Sequence, residues 1–170
     1  MNSSALHPAN HPFASNRIEW RLNQPFAKSL QRLLTILGKP HPLRLLVYAR
    51  LGGKAGLEHY LEKVGGELGL MILGTVRHGF IMSALNGPSH AQMFLIGNPL
   101  TAVGLMREFK QAGVYAPMRV MFHDDGMDRT IITYDAPSKV FGQFDSPQFL
   151  NTGEMLERKL EALVREIAIS

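Results

Sequence analysis

The chain has 170 residues, 45% of them apolar and 19% charged, which suits one domain with a sizeable core and argues against wholesale disorder. It has no cysteine, so disulfides, zinc–thiolate centres, iron–sulfur clusters and thiol nucleophiles are excluded. The net charge of +4 is uneven: residues 1–54 hold eight basic side chains against one acid, Glu19, and the remainder ten against thirteen. Such a basic segment meets either the acidic body, within the chain or across a dimer, or an external anion, and no nucleic-acid-binding motif accompanies it.

Residues 1–16 have neither a hydrophobic period nor the pattern of an export signal, and are expected to be mobile. Residues 25–37 then read as a short helix, with Pro25 near its first turn, Gly38 just past its end and Pro40 beyond. Phe26, Leu30, Leu33, Leu34 and Leu37 form its apolar stripe, with Lys28 and Arg32 off it. This gives a provisional division into 1–42, a mobile N-terminus plus a basic amphipathic helix, and 43–170, a single domain. The most apolar neighbourhood, residues 30–51, is interrupted by Arg32, Lys39 and Arg44 and is too broken to span a bilayer. The expectation is a soluble, cytoplasmic protein.

Residues 43–51 are β-prone, and residues 55–68 return to the helix period with Leu57, Tyr60, Leu61, Val64 and Leu68 on one face. LGLMILGTVRH and GFIMSAL read as two strands or one bent strand, with Gly74 and Gly79 at bulge or bend positions. A turn at Asn86-Gly87-Pro88-Ser89 precedes a strand, AQMFLIG, a helix, PLTAVGLMREFKQ, and a strand, PMRVMFH. The turn containing Asp125-Gly126 joins that strand to RTIITYD as a hairpin. The C-terminal segment is helical, with Asn151 and Glu154 at capping-box spacing, an apolar stripe of Leu156, Leu160, Leu163, Val164 and Ile167, and Glu161 four residues before Arg165. The class is α+β, a mainly antiparallel sheet with helices packed on one face.

FLIGNPLTAVGLM, YAPMRVMFHDDG and TIITYDAPS, in this order and separation, resemble the domain of unknown function 302 family over about residues 55–147. The resemblance implies a compact α+β domain that commonly associates as a homodimer, and leaves residues 1–43 and the C-terminal helix as additions. It implies no reaction. Family members usually close the hairpin turn with Asp-Gly, whereas Met127-Asp128 stands here before Arg129; Asp adopts the left-handed conformation at some cost, so the turn is expected to survive.

Chemistry-bearing residues are few. Asn98 and Pro99 suit N-cap and first helical turn, with Gly97 bending the entry; the alternative uses the free N–H groups of that turn to hold an anion. Neither nucleotide-binding glycine pattern is present, and Gly52-Gly53-Lys54-Ala55 lacks the P-loop spacing. His78 follows an apolar strand, either as a hydrogen-bonded structural residue or as a base or haem ligand. Arg119 and His123 share a sheet face with Met121, and Arg119 either recognises an anion or pairs with an internal acid such as Asp135. The acidic turn 124–128 is not a calcium loop, His7, His11 and His41 lack ligand spacing, and no metal site is expected. The leading reading is a dimeric domain that binds a small anionic or amphipathic ligand through His78, Gly97, Asn98, Tyr115 and Arg119. One alternative is an enzyme using His78 as base and Arg119 as clamp, with a cofactor such as haem; another is an interaction protein docking a partner through the basic N-terminal helix.

Overall fold

The computed structural model describes residues 10–169, so His7 and the expectation for residues 1–9 lie outside it. Among the described residues, five strands form one antiparallel sheet in the order β1-β5-β4-β3-β2. They are β1 (Arg17–Leu22), β2 (Met71–Val76), β3 (Ala91–Gly97), β4 (Met118–Asp124) and β5 (Thr130–Asp135). The helices are α1 (Phe26–Ile36), α2 (Pro42–Leu51), α3 (Gly53–Gly65), α4 (His78–Asn86), α5 (Pro99–Glu108), α6 (Pro137–Gly142) and α7 (Pro147–Ala168), with a 3₁₀ turn at Lys110–Val114. The class is α+β, as the alternation of periods implied.

Strand alternation sets the layers. Phe94 and Ile96 of β3, Val120 and Phe122 of β4, and Ile132 and Tyr134 of β5 turn to one face and are buried under Leu33 of α1 and Leu156, Leu160, Leu163, Val164 and Ile167 of α7. Arg119, Met121 and His123 occupy the opposite face. β1, for which no strand was expected, alternates in the same way: Ile18, Trp20 and Leu22 pack inward while Arg17, Glu19 and Arg21 point outward. Its Trp20 Nε1 donates to the Tyr134 hydroxyl at 3.1 Å, and the Arg165 guanidinium of α7 lies over the indole, 5.6 Å from the ring centre. Burial pushes the Tyr134 phenol above its usual pKa, with the Trp20 bond acting in the opposite direction.

Three expectations fail at this level, each for a packing reason. Residues 43–51 form helix α2, not a strand: Pro42 opens it, and Leu45 and Tyr48, three apart, face the body, where the Tyr48 ring stacks on Tyr60 at 4.8 Å. GFIMSAL is helix α4, because Gly79 and Ser83, four apart, fit against the turn before β3. A Cβ at Gly79 would stand 2.7 Å from both Ala91 N and Ser89 O, while Ser83 Oγ donates to Ser89 O and accepts from Ser89 N. The bend expected at Gly79 is therefore a helical first turn; Gly74 does lie at a register shift, between Ile72 and Gly74. α7 begins at Pro147, so Asn151 lies inside the helix and caps nothing.

The α1 stripe also turns by part of a helical turn. Leu34 is 57% exposed, and Ser29 is fully buried in its stead. Ser29 is there because it completes a ring of hydrogen bonds: Gln24 Nε2 donates to Ser29 Oγ (2.7 Å), Ser29 to Thr130 Oγ1 (2.8 Å), and Thr130 Oγ1 back to the Gln24 carbonyl (3.0 Å). Gln24 Nε2 also reaches the carbonyl of Ile167 at 3.0 Å. The hairpin turn survives its departure from Asp-Gly, with Asp128 at φ 59° and Gly126 at φ 80°. Partial burial pushes the Asp125 carboxyl up, but the N–H groups of Met127 and Arg129 and the Arg129 side chain outweigh this and hold it below its ordinary value of 3.8.

Ser29→Ala is expected to lower stability by about 1–3 kcal/mol, since it takes from the buried Thr130 hydroxyl the donor it accepts from, and from the Gln24 amide one of its two acceptors. Urea unfolding followed by Trp20 fluorescence should show an earlier midpoint with an unchanged slope.

Candidate functional site

The end of β3 and the start of α5 border a concave part of the surface. Gly97 closes β3 opposite Met71, and a Cβ there would meet Pro117 Cβ at 3.3 Å, so the absence of a side chain lets the chain before β4 pass close by. Asn98 is extended (φ −128°, ψ 119°) and caps α5: its Oδ1 accepts from Leu100 N at 2.9 Å, and its carbonyl accepts from Ala102 N at 3.0 Å. Its Nδ2 donates to the Gly69 carbonyl at 2.9 Å. Both ends of the Asn98 amide are therefore engaged within the chain.

This decides between the two readings of Gly97-Asn98-Pro99. Pro99 has no N–H, the N–H groups of Leu100 and Ala102 are occupied, and among the described residues only Thr101 N–H is left in the first turn without a chain acceptor. One donor is not an anion cradle. The corner is a helix cap.

Beside the cap lies a hollow of about 240 Å³, walled mainly by Leu73, Ala102, Leu105, Pro117, Met118 and Leu156. Gly97, Asn98 and Pro99 form part of its rim. A smaller recess of about 70 Å³ adjoins it, bounded by Tyr115, Arg119 and Asp135, and the two share Met118 and Phe141. The Tyr115 ring meets Phe13 and Phe144 edge-on at 5.7 and 6.1 Å. Arg119 Nη2 lies 3.7 Å from Asp135 Oδ2, in an exposed pair that contributes little to stability. Tyr134 turns to the core face and does not meet Arg119.

Four of the five expected residues thus stand around two adjoining recesses, and His78 stands apart. In the antiparallel pair, Gly74 of β2 lies level with Leu95, which pairs with Arg119, while His78 follows the far end of β2 as the exposed first residue of α4. Four residues along the strand and two strands across amount to more than ~15 Å between backbones. The geometry provides no shared His78–Arg119 centre, and His78 lines neither recess. Among the described residues, no three His, Asp or Glu side chains gather as a metal site.

Phe141 and Leu156 escaped the sequence-based list of site residues. Leu156 was legible as core but not as a wall, and α6, which carries Phe141, was assigned no element although Pro137 marks its first turn.

The description "Domain of unknown function DUF302" fits the chain over residues 57–167, a stretch that takes in nearly all of α7. The chain is also similar in fold to a crystal structure of an uncharacterized conserved DUF302 protein from Bacillus stearothermophilus. The TM-score is 0.60 at 14% identity, over 89% of this chain and 97% of that one. No curated protein matches.

Asn98→Ala removes both the cap and the tie to Gly69, and is expected to cost about 1–2 kcal/mol. Asn98→Ser keeps a cap acceptor for Leu100 N–H without setting a charge against the Gly69 carbonyl and should lose less; thermal unfolding of the two variants side by side measures the difference.

Proposed function

This chain belongs to the DUF302 family, and on that premise we propose that it binds a small amphipathic ligand whose apolar body occupies the hollow between α5 and α7. The observation that carries the proposal is the wall of that hollow: apolar side chains from β2, α5, the approach to β4, α6 and α7 face a space large enough for a short hydrocarbon group. The polar end lies toward Tyr115 and Arg119 in the adjoining recess, across Met118 and Phe141. Recognition of a free anion by the α5 N-terminus is not part of this reading, because the cap leaves a single first-turn donor, Thr101 N–H.

Octanoate and octanol are suitable probes, followed by methyl NMR. Both should shift the Leu105, Met118 and Leu156 methyl signals saturably, and Ala102→Trp should abolish the shifts by filling the space. Arg119→Ala should weaken octanoate severalfold and leave octanol unchanged. Binding that persists in Ala102→Trp disproves the location.

A second reading, a homodimer, is supported by α4. This helix is inside out: Gly79 is its buried residue and Ser83 bonds the turn before β3, while Phe80 and Leu85 are 77% and 76% exposed and Ile81 59%. No charged side chain interrupts that face, and a two-fold places it against itself without like-charge conflict. Phe80→Asp and Leu85→Asp are expected to convert a dimer to monomers in sedimentation velocity without changing the circular dichroism; a mass unaffected by both variants removes α4 as the contact.

A further inference from the structure

From residue 20 to residue 57 the chain contains no acidic side chain, yet it carries seven lysines and arginines. Among the described residues, ion pairs engage only two of these, Arg21 with Glu19 and Lys54 with Glu58, and both partners are close in sequence. Arg32 donates to the backbone carbonyl of Glu166, not to a carboxylate. The acidic body of the protein therefore leaves most of this charge without a carboxylate partner.

Helix α2 combines that charge with exposed hydrocarbon. Its inner side, Leu45 and Tyr48, is fixed on α3, and the chain entering it is tied by His41 N–H to the Tyr60 hydroxyl at 2.8 Å. Leu43, Leu46, Val47 and Leu51 point away from the body and are 67%, 49%, 52% and 84% exposed. Arg44 and Arg50 lie among and beside them, with Lys39 and Lys54 flanking the helix. Four large aliphatic side chains exposed together on one short helix form the kind of apolar patch that marks an interaction site.

We propose that α2 is a docking face for an anionic lipid surface. The four aliphatic side chains enter the boundary between headgroups and acyl chains, and Arg44, Arg50, Lys39 and Lys54 bind headgroup phosphates. Charge selects this occupant. A second copy across a two-fold would set Arg44 and Arg50 against themselves on a helix without an acid, and a nucleic acid backbone would leave the aliphatic groups in water. No helix among the described residues is long and apolar enough to cross a membrane, so α2 lies along the surface. This docking is independent of the ligand hollow beside α5.

The test is co-sedimentation of the full chain with large vesicles of phosphatidylcholine alone, or of phosphatidylcholine mixed with phosphatidylglycerol. Binding is expected to the mixed vesicles only, and to weaken as salt is raised. The pair Leu46→Asp/Leu51→Asp, and separately Arg44→Glu/Arg50→Glu, should each reduce it by roughly tenfold or more. These positions are exposed, so circular dichroism and unfolding midpoints should be unchanged; Met127→Asp in the β4–β5 turn, an exposed apolar position away from α2, should bind as the parent does. Absence of binding to the mixed vesicles, equal binding to both kinds, or retention of binding by either double variant overturns the proposal. So does a dimer in sedimentation velocity that the α2 variants dissociate, which assigns the face to a second copy.

Discussion

The closed ring of Gln24, Ser29 and Thr130 is the constraint on which the rest of this architecture hangs. The two hydroxyls each donate and accept, so the bonds they link polarise one another, and the Gln24 amide and main-chain carbonyl close the ring at its ends. The ring sets the loop after β1, the face of α1 and the start of β5 relative to one another. Through the Gln24 amide it also reaches the last turn of α7. Chain segments more than a hundred residues apart are thereby fixed against a common point. With the ring in place, β1 becomes the outer strand beyond β5, Trp20 comes under Arg165, and α7 is aligned along the sheet face it covers.

That alignment governs what the opposite end of the same core contains. α7 supplies Leu156 to the hollow, α6 supplies Phe141, and β4 begins with Met118 between the two recesses. The cap at Asn98 binds α5 to the loop at Gly69, so the wall that α5 contributes is held by hydrogen bonds at its first turn. The same bonds that make the corner rigid occupy the N–H groups of Leu100 and Ala102 within the chain.

Much of this was legible from residue spacing. β3, β4, β5, their hairpin, α3 and the stripe of α7 follow the periods of their apolar residues, because each buries one face against the common core. The same argument misleads wherever burial does not follow hydrophobicity. α4 buries its glycine and bonds the turn before β3 through its serine, and α2 is apolar on both sides, so neither shows a helical period and both read as strands. Ser29 was invisible for the complementary reason: it is a polar residue at a core position, justified only by partners distant in sequence. Gly97, Asn98, Tyr115 and Arg119, singled out from the sequence as binding candidates, stand around the two recesses. Separating His78 from them required the strand order, which no local pattern encodes.

The register shift between Ile72 and Gly74 bears on how this protein behaves at high concentration. β2 is an outer strand of the sheet, and its first residue, Met71, is already partnered by a bridge to Gly38. The bulge then interrupts the regular ladder in mid-strand, so the edge presents only a short unbroken run to any foreign strand. At the other margin, β1 points Arg17, Glu19 and Arg21 outward from alternate positions. Both margins are thus poor templates for continued sheet growth. The exposed aliphatic faces of α2 and α4 lie instead on helices, where contact with another surface leaves the backbone ladder intact.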